Sequence, residues 1–183
     1  MKVVAYQLET VMDQLKNYVA KTDVRPALVG IHIVYEDGVL TFEATDSYIM
    51  SQFKIDVEKD EYDEKYDLII EPFKYKAGNA PIVELNLKDL YVRDFATGKK
   101  TAINVIDAPE YPNLDCCYPT QDVKGTFSVT VEKLLNSVKG LSKKDVINFE
   151  YRDAIHPITM TTNKNREMFK ENRQVISLVR SFK

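Results

Sequence analysis

The chain has 183 residues and a mass of 21.1 kDa, which suits one large domain or one and a half small ones. At 44% hydrophobic and 29% charged residues it has enough apolar material for a real core. No apolar run is long enough to cross a bilayer and no charged-then-apolar leader opens the chain, so the protein is expected to stay in the cytoplasm where it is made. A net charge of −3 and a pI near 5.5 argue against indiscriminate wrapping of nucleic acid, but leave open basic residues gathered on one surface.

Residues 1–5 read as a short apolar strand. Leu8, Val11, Met12, Leu15 and Val19 follow at helical spacing and predict an amphipathic helix of about four turns, which Pro26 keeps from running on. Ile31, Ile33 and Tyr35 alternate with His32, Val34 and Glu36, the period of a strand with two unlike faces. Asp37-Gly38 is a two-residue hairpin signal, because both central residues of a type I′ turn need positive φ. Leu40, Phe42 and Ala44 share one side of the next strand, Thr45-Asp46-Ser47 stops it, and residues 48–57 resume extended.

A charged connector, KDEYDEK at residues 59–65, leads into strands expected at 66–71, 82–87, 90–96 and 101–106. Two prolines and a glycine in residues 72–81 leave room for at most one helical turn there. A third unit is expected to open on a strand at 125–129. Thr130 then caps a second helix built on Val131, Leu134, Leu135, Val138 and Leu141. Strands at 146–151, 158–162 and 174–180 complete it, with a polar loop over 163–172. A unit of roughly 60 residues, strand-helix-strands, thus recurs three times, its middle copy lacking most of the helix. The class is α+β, with one domain over 1–121 and half a domain over 122–183.

Catalytic and metal chemistry find little to use. Cys116 and Cys117 are adjacent, lack the C-x-x-C spacing of a metal knuckle, and are read as two reduced thiols. His32 and His156 are far apart in sequence, and no P-loop, G-x-S-x-G or H-E-x-x-H occurs. The expectation is a non-enzyme without a cofactor or metal.

The stretch RPALVGIHIVYEDGVLTFEATDSYIM, residues 25–50, resembles a segment in the middle domain of bacterial sliding clamps, the β subunit of the replicative DNA polymerase. Arg25, Pro26, Leu28, Gly30, Leu40, Ala44, Thr45, Asp46, Tyr48 and Met50 fall on that family's pattern without a gap. Two later segments resemble the clamps in the same order. EYPNLDCCYP, at 110–119, is similar to their exit from the middle domain, with cysteine at 116 where clamps often place arginine. VISLVRSFK, at 175–183, is similar to their last strand, without its proline. The plainer reading of the first segment, a β-meander whose turn happens to read Thr-Asp, ranks below this.

The resemblance implies a clamp-like fold, with helices on one face of the sheets, in a shortened and divergent member, a phage-encoded one being an option. It implies an apolar groove for the clamp-binding peptides of polymerases and other DNA-processing proteins, formed by Leu28, Thr45, Tyr48, Met50, Pro112, Cys117, Val175, Ser177, Leu178 and Val179. Core packing is the plainer reading of each aliphatic residue taken singly. It also implies loose contact with DNA phosphates, for which Lys16, Lys21, Arg25, Lys133, Lys139, Lys143 and Lys144 are the candidates. Lysines at helix C-termini are commonplace for another reason, the macrodipole. A homo-oligomer is expected, a clamp loader is a further partner, and no membrane is involved. The implied function is that of a polymerase processivity factor; the alternative is a non-encircling adaptor or decoy that binds the same peptides.

Overall fold

The computed structural model describes residues 1–57, 64–108, 110–117, 128–138, 141, 143, 145–150, 158–162 and 174–176; for the last two segments it describes the backbone. The chain divides into two compact units, Met1–Tyr118 and Pro119–Lys183.

In the first unit, strand β1 (Lys2–Val4) runs directly into helix α1 (Ala5–Leu15), whose first amide donates to the Pro81 carbonyl at 3.0 Å. The apolar spacing buries Ala5, Leu8, Val11, Met12 and Leu15, as the periodicity predicts. The helix is shorter than expected. Past Leu15 the amides of Asn17 and Tyr18 turn to the i−3 carbonyls, and the Asn17 amide group bonds the Asp13 and Gln14 carbonyls at 3.0 and 3.2 Å. These bonds satisfy carbonyls that a longer helix would have used. Val19 still packs against the core, but from the turn.

A 3-10 turn (Pro26–Val29) leads to β2 (Ile31–Glu36), β3 (Val39–Thr45) and β4 (Met50–Asp56). Asp37 and Gly38 have φ of 52° and 81°, the positive values their hairpin requires. Between β3 and β4, Asp46 Oδ1 accepts from the amides of Tyr48 and Ile49, both at 2.9 Å, and these bonds hold its carboxyl below the usual range. Residues 58–63, which take in most of the charged connector, lie outside the described residues.

Strands β5 (Tyr66–Ile70), β6 (Ile82–Asn86), β7 (Tyr91–Asp94) and β8 (Lys100–Ala102) follow. The two repeats exchange their first strands. β5 pairs with β2, giving the order β4-β3-β2-β5, and β1 pairs with β6, giving β1-β6-β7-β8. Buried residues of both sheets, Ile33, Tyr35, Phe42, Val83, Leu85 and Val92 among them, share one core with α1. Residues 72–81 hold no helix; Phe73, Tyr75 and Ala77 fill against the core, and the Ala77 amide donates to Glu9 Oε2 at 2.9 Å.

The strand expected at 101–106 is split. It leaves β7 after Ala102 and crosses to the other sheet, where Val105 bridges Ile70 and the Ile106 amide donates to the Ile69 carbonyl at 2.7 Å. Gly30 makes this crossing possible. A Cβ there would lie 2.5 Å from Ile69 Cγ2 and 2.8 Å from Ile106 Cδ1.

In the second unit Thr130 caps α2 (Val131–Ser137), its hydroxyl accepting from the Lys133 amide at 3.3 Å. Ser128 and Val129, expected in a strand, are not in one, and 118–127 lie outside the described residues. β9 (Ile147–Glu150), β10 (Ile158–Thr162) and β11 (Gln174–Ile176) form an antiparallel sheet in the order β11-β10-β9. The expected loop at 163–172 and the end of the last expected strand, 177–180, also lie outside the described residues.

Candidate functional site

The outward face of the β4-β3-β2-β5 sheet carries a polar ladder, one residue from each strand. Gln52 Nε2 donates to Glu43 Oε2 at 2.8 Å, Glu43 Oε1 lies 2.8 Å from His32 Nδ1, and His32 Nε2 lies 2.8 Å from Asp67 Oδ1. His32 and Glu43 face one another in the strand register, as do Glu43 and Gln52. Burial pulls the imidazole towards its neutral form, but the two carboxylates outweigh it and raise its pKa. Burial acts against the charge of Glu43 too, and the bonds from His32 and Gln52 outweigh it, lowering its pKa.

The segment after β8 covers this ladder. Tyr111 stacks on His32, with ring centroids 4.5 Å apart and planes 21° from parallel, and its hydroxyl accepts from the Thr45 amide at 3.1 Å. Burial pushes the phenol strongly upward in pKa, so it stays protonated. Tyr111 and Leu114 are buried with Ala27 and Ile69, and Met50, Ile106 and Ala108 pack around them.

This small second core makes an apolar shelf with a cavity of about 470 Å³, lined by Arg25, Pro26, Leu28, Tyr111 and Pro112 among others. A second cavity, of about 750 Å³, opens on the His32 and Asp67 side; Tyr111 lines both. At the rim Arg25 donates to Asp23 at 3.1 Å from Nε and to Ser47 Oγ at 2.6 Å, while Tyr48 is 94% exposed. Ser47 is held at φ 76° between them.

Of the residues that sequence assigned to a groove, Leu28 and Pro112 line the cavity and Met50 packs on the Tyr111 cluster. Thr45 is buried with a local role: its hydroxyl donates to the Ile49 carbonyl and accepts from the Ser47 amide. Tyr48 stands at the rim, and Cys117 is exposed in the 3-10 turn Asp115–Cys117. Val175 is in β11, whose side chains are not described; Ser177, Leu178 and Val179 lie outside the described residues. Sequence reading missed Tyr111 and Leu114 as the buried anchors, and missed the ladder.

Among the residues assigned to DNA, Lys16 is paired with Asp13 at 2.6 Å and Arg25 with Asp23. Lys21, Lys133 and Lys143 are exposed, and Lys139 and Lys144 lie outside the described residues. Among the described residues no group of three or more His, Cys, Asp or Glu is arranged to hold a metal, and no helix is long and apolar enough to cross a membrane.

No family model matches the chain. It is 30% identical over 168 residues to the β sliding clamp of Halalkalibacterium halodurans, a match covering 85% of this chain and 44% of that protein. Its fold is similar to the DNA polymerase III β chain of Streptococcus pneumoniae, with a TM-score of 0.71 at 18% identity over 98% of this chain and 49% of that one. It is equally similar to the DNA polymerase sliding clamp of Bacillus subtilis, with a TM-score of 0.71 at 16% identity over 97% and 48%. The chain spans less than half the length of each.

Proposed function

We propose that the chain, similar in sequence to a β sliding clamp and in fold to DNA polymerase III β chains, is a member of the bacterial sliding-clamp family and acts as a processivity factor in cytoplasmic DNA replication. It would tether polymerase and other DNA-processing proteins through an apolar groove, and it would catalyse nothing itself. The observation that carries this reading is the shelf in the first unit. There the segment at 25–50 and the segment at 110–117, which resemble clamps independently, meet around Leu28, Tyr111 and Pro112.

An extended peptide carrying Leu and Phe anchors suits such a shelf. Two or three anchors at roughly 1.5–3 kcal/mol each, less the cost of ordering the peptide, leave affinities around micromolar. Partners held that loosely can exchange. Several copies of the chain would close around DNA and raise the effective concentration of a polymerase at the primer end, with a loader to open the ring. Lys21, Lys133 and Lys143, with Lys139 and Lys144, would approach phosphates without reading bases.

One observation favours the second reading, an adaptor or decoy that binds the same peptides without encircling DNA. Two of the cations assigned to DNA, Lys16 and Arg25, already have carboxylate partners. Titrating a labelled Q-L-x-L-F peptide and following its anisotropy tests what both readings share. Saturable, micromolar binding is expected, and its absence would remove the groove.

A further inference from the structure

Two thiols stand side by side next to the shelf. Cys116 and Cys117 are both exposed and not joined in a disulfide, and their sulfurs lie 3.9 Å apart. They are held in the 3-10 turn that closes the second core. The Cys117 amide donates to the carbonyl of buried Leu114 at 2.9 Å, and the Cys116 thiol donates to the Asn113 carbonyl, also at 2.9 Å. The backbone therefore presents both sulfurs together before any ligand arrives.

That separation is the bite of one thiophilic centre. Two thiolates at about 2.3 Å from a tetrahedral soft cation are about 3.8 Å apart, and a pyramidal trivalent centre, with its narrower angle, needs them closer by a small rotation of either exposed side chain. A tetrahedral cation needs two more ligands, however, and among the described residues no group of three or more metal-binding side chains occurs. A trivalent metalloid that brings its own carbon substituent needs only the two sulfurs.

We propose that Cys116 and Cys117 form a dithiol site for trivalent organoarsenicals and chemically similar two-site thiophiles. In the hydrated form of phenylarsine oxide, arsenic carries two hydroxyls. Two As–S bonds form, two As–O bonds break, and each departing hydroxide takes a thiol proton to leave as water. Arsenic stays trivalent, so no oxidant or reductant is involved. The neighbouring Cys116 raises the pKa of the Cys117 thiol, so it enters the reaction carrying the proton that the departing hydroxide takes. A consequence for partner binding rests on the groove reading: the thiols follow Asn113, which lines the cavity, so an aryl group bound to them should weaken the peptide about tenfold.

The test is a titration of the full chain with phenylarsine oxide, counting free thiols with a chromogenic disulfide and measuring mass. One equivalent should consume both thiols together, 2,3-dimercaptopropanol should reverse it, and excess monothiol should not. Cys116→Ser and Cys117→Ser, both at exposed positions, should each bind about a hundredfold more weakly, because the second As–S bond forms within one molecule. Two equivalents per chain, serine variants that bind as tightly as wild type, or thiols untouched by the reagent would each overturn the site. Peptide affinity that stays unchanged when the site is filled would overturn the consequence. Untreated protein that binds no peptide would instead refute the groove, whatever the thiol counts.

Discussion

The ring of Tyr111 lies on the imidazole of His32, 4.5 Å between centroids and 21° from parallel. This contact joins the segment leaving the second repeat to a sheet made mostly by the first. It seats an aromatic ring on a charged hydrogen-bonded ladder and sets that ring as the wall between two cavities.

Tyr111 should therefore be worth more than an average surface aromatic. Tyr111→Ala removes the stack, the acceptor for the Thr45 amide and a buried ring, and should cost about 3–5 kcal/mol in urea unfolding. Tyr111→Phe keeps the stack and leaves the Thr45 amide unmet, at about 1–3 kcal/mol. Equal effects from the two substitutions would mean that the ring carries none of the stability.

The ladder gives stability a pH signature. His32 has its pKa raised above 6.5, so its contribution is complete below that value and is lost as pH rises through the raised one. Glu43 has its pKa lowered below 4.5, so its contribution is complete above that value and is lost as pH falls through the lowered one. The pair stabilises most between about pH 4.5 and 6.5, with Asp67 facing the same imidazole. Urea midpoints should decline from pH 6 towards pH 9 in wild type, and His32→Asn should flatten that decline. A wild-type profile no steeper than the variant's would show that the imidazole is uncharged in the fold.

Part of this site was legible in the sequence. The Asp37-Gly38 turn fixes the hairpin register, Glu36 opposite Val39, and counting back places His32 opposite Glu43. Two histidines in the whole chain are too few for a cluster, and that count hides a pairing the turn already implies. Asp67 was not legible. It reaches His32 because β5 leaves its own repeat to pair with β2, and no local pattern distinguishes an exchanged strand from a sequential one. The same crossing split the run at 101–106, whose apolar alternation serves two sheets in turn. Tyr111 and Leu114 were hidden for another reason: their burial depends on a surface that sequence distance does not reveal.

Gly30 marks the tightest point of that crossing. In Gly30→Ala, the new methyl would meet Ile69 and Ile106 side chains and lie 3.0 Å from the Ile70 carbonyl oxygen, which is backbone and cannot swing aside. A loss of about 1–3 kcal/mol is expected. Because Ile69 and Ile106 are in the shelf's core, peptide binding should weaken with it. A variant as stable as wild type would mean that the two strands can separate freely here.

Met50 tests the shelf without dismantling it. It is half-buried at the start of β4 against the Tyr111 cluster. Met50→Asp puts an unpaired charge on the apolar surface and should abolish binding of a Q-L-x-L-F peptide, while the urea midpoint moves far less than for Tyr111→Ala. Undiminished peptide affinity would place the binding surface elsewhere.

Ring and adaptor part company on topology. In a ring the exposed lysines of α2 and its flank approach phosphates through water, and at physiological salt such charges are screened beyond about 8 Å. Affinity for linear DNA should then be poor and should fall steeply with salt. Retention on nicked circular DNA should persist, because release requires the ring to open and not merely the lysines to let go. An adaptor has no such asymmetry, and the carboxylate partners of Lys16 and Arg25 would leave it with little hold on either form. The measurement is retention on nicked circular against linearised DNA, with a loader supplied, alongside native mass in solution. Selective retention on the circle by an oligomer is expected of the proposed function. A protein that remains monomeric at high concentration and washes equally from both DNAs would refute encirclement, and peptide capture would then be its function.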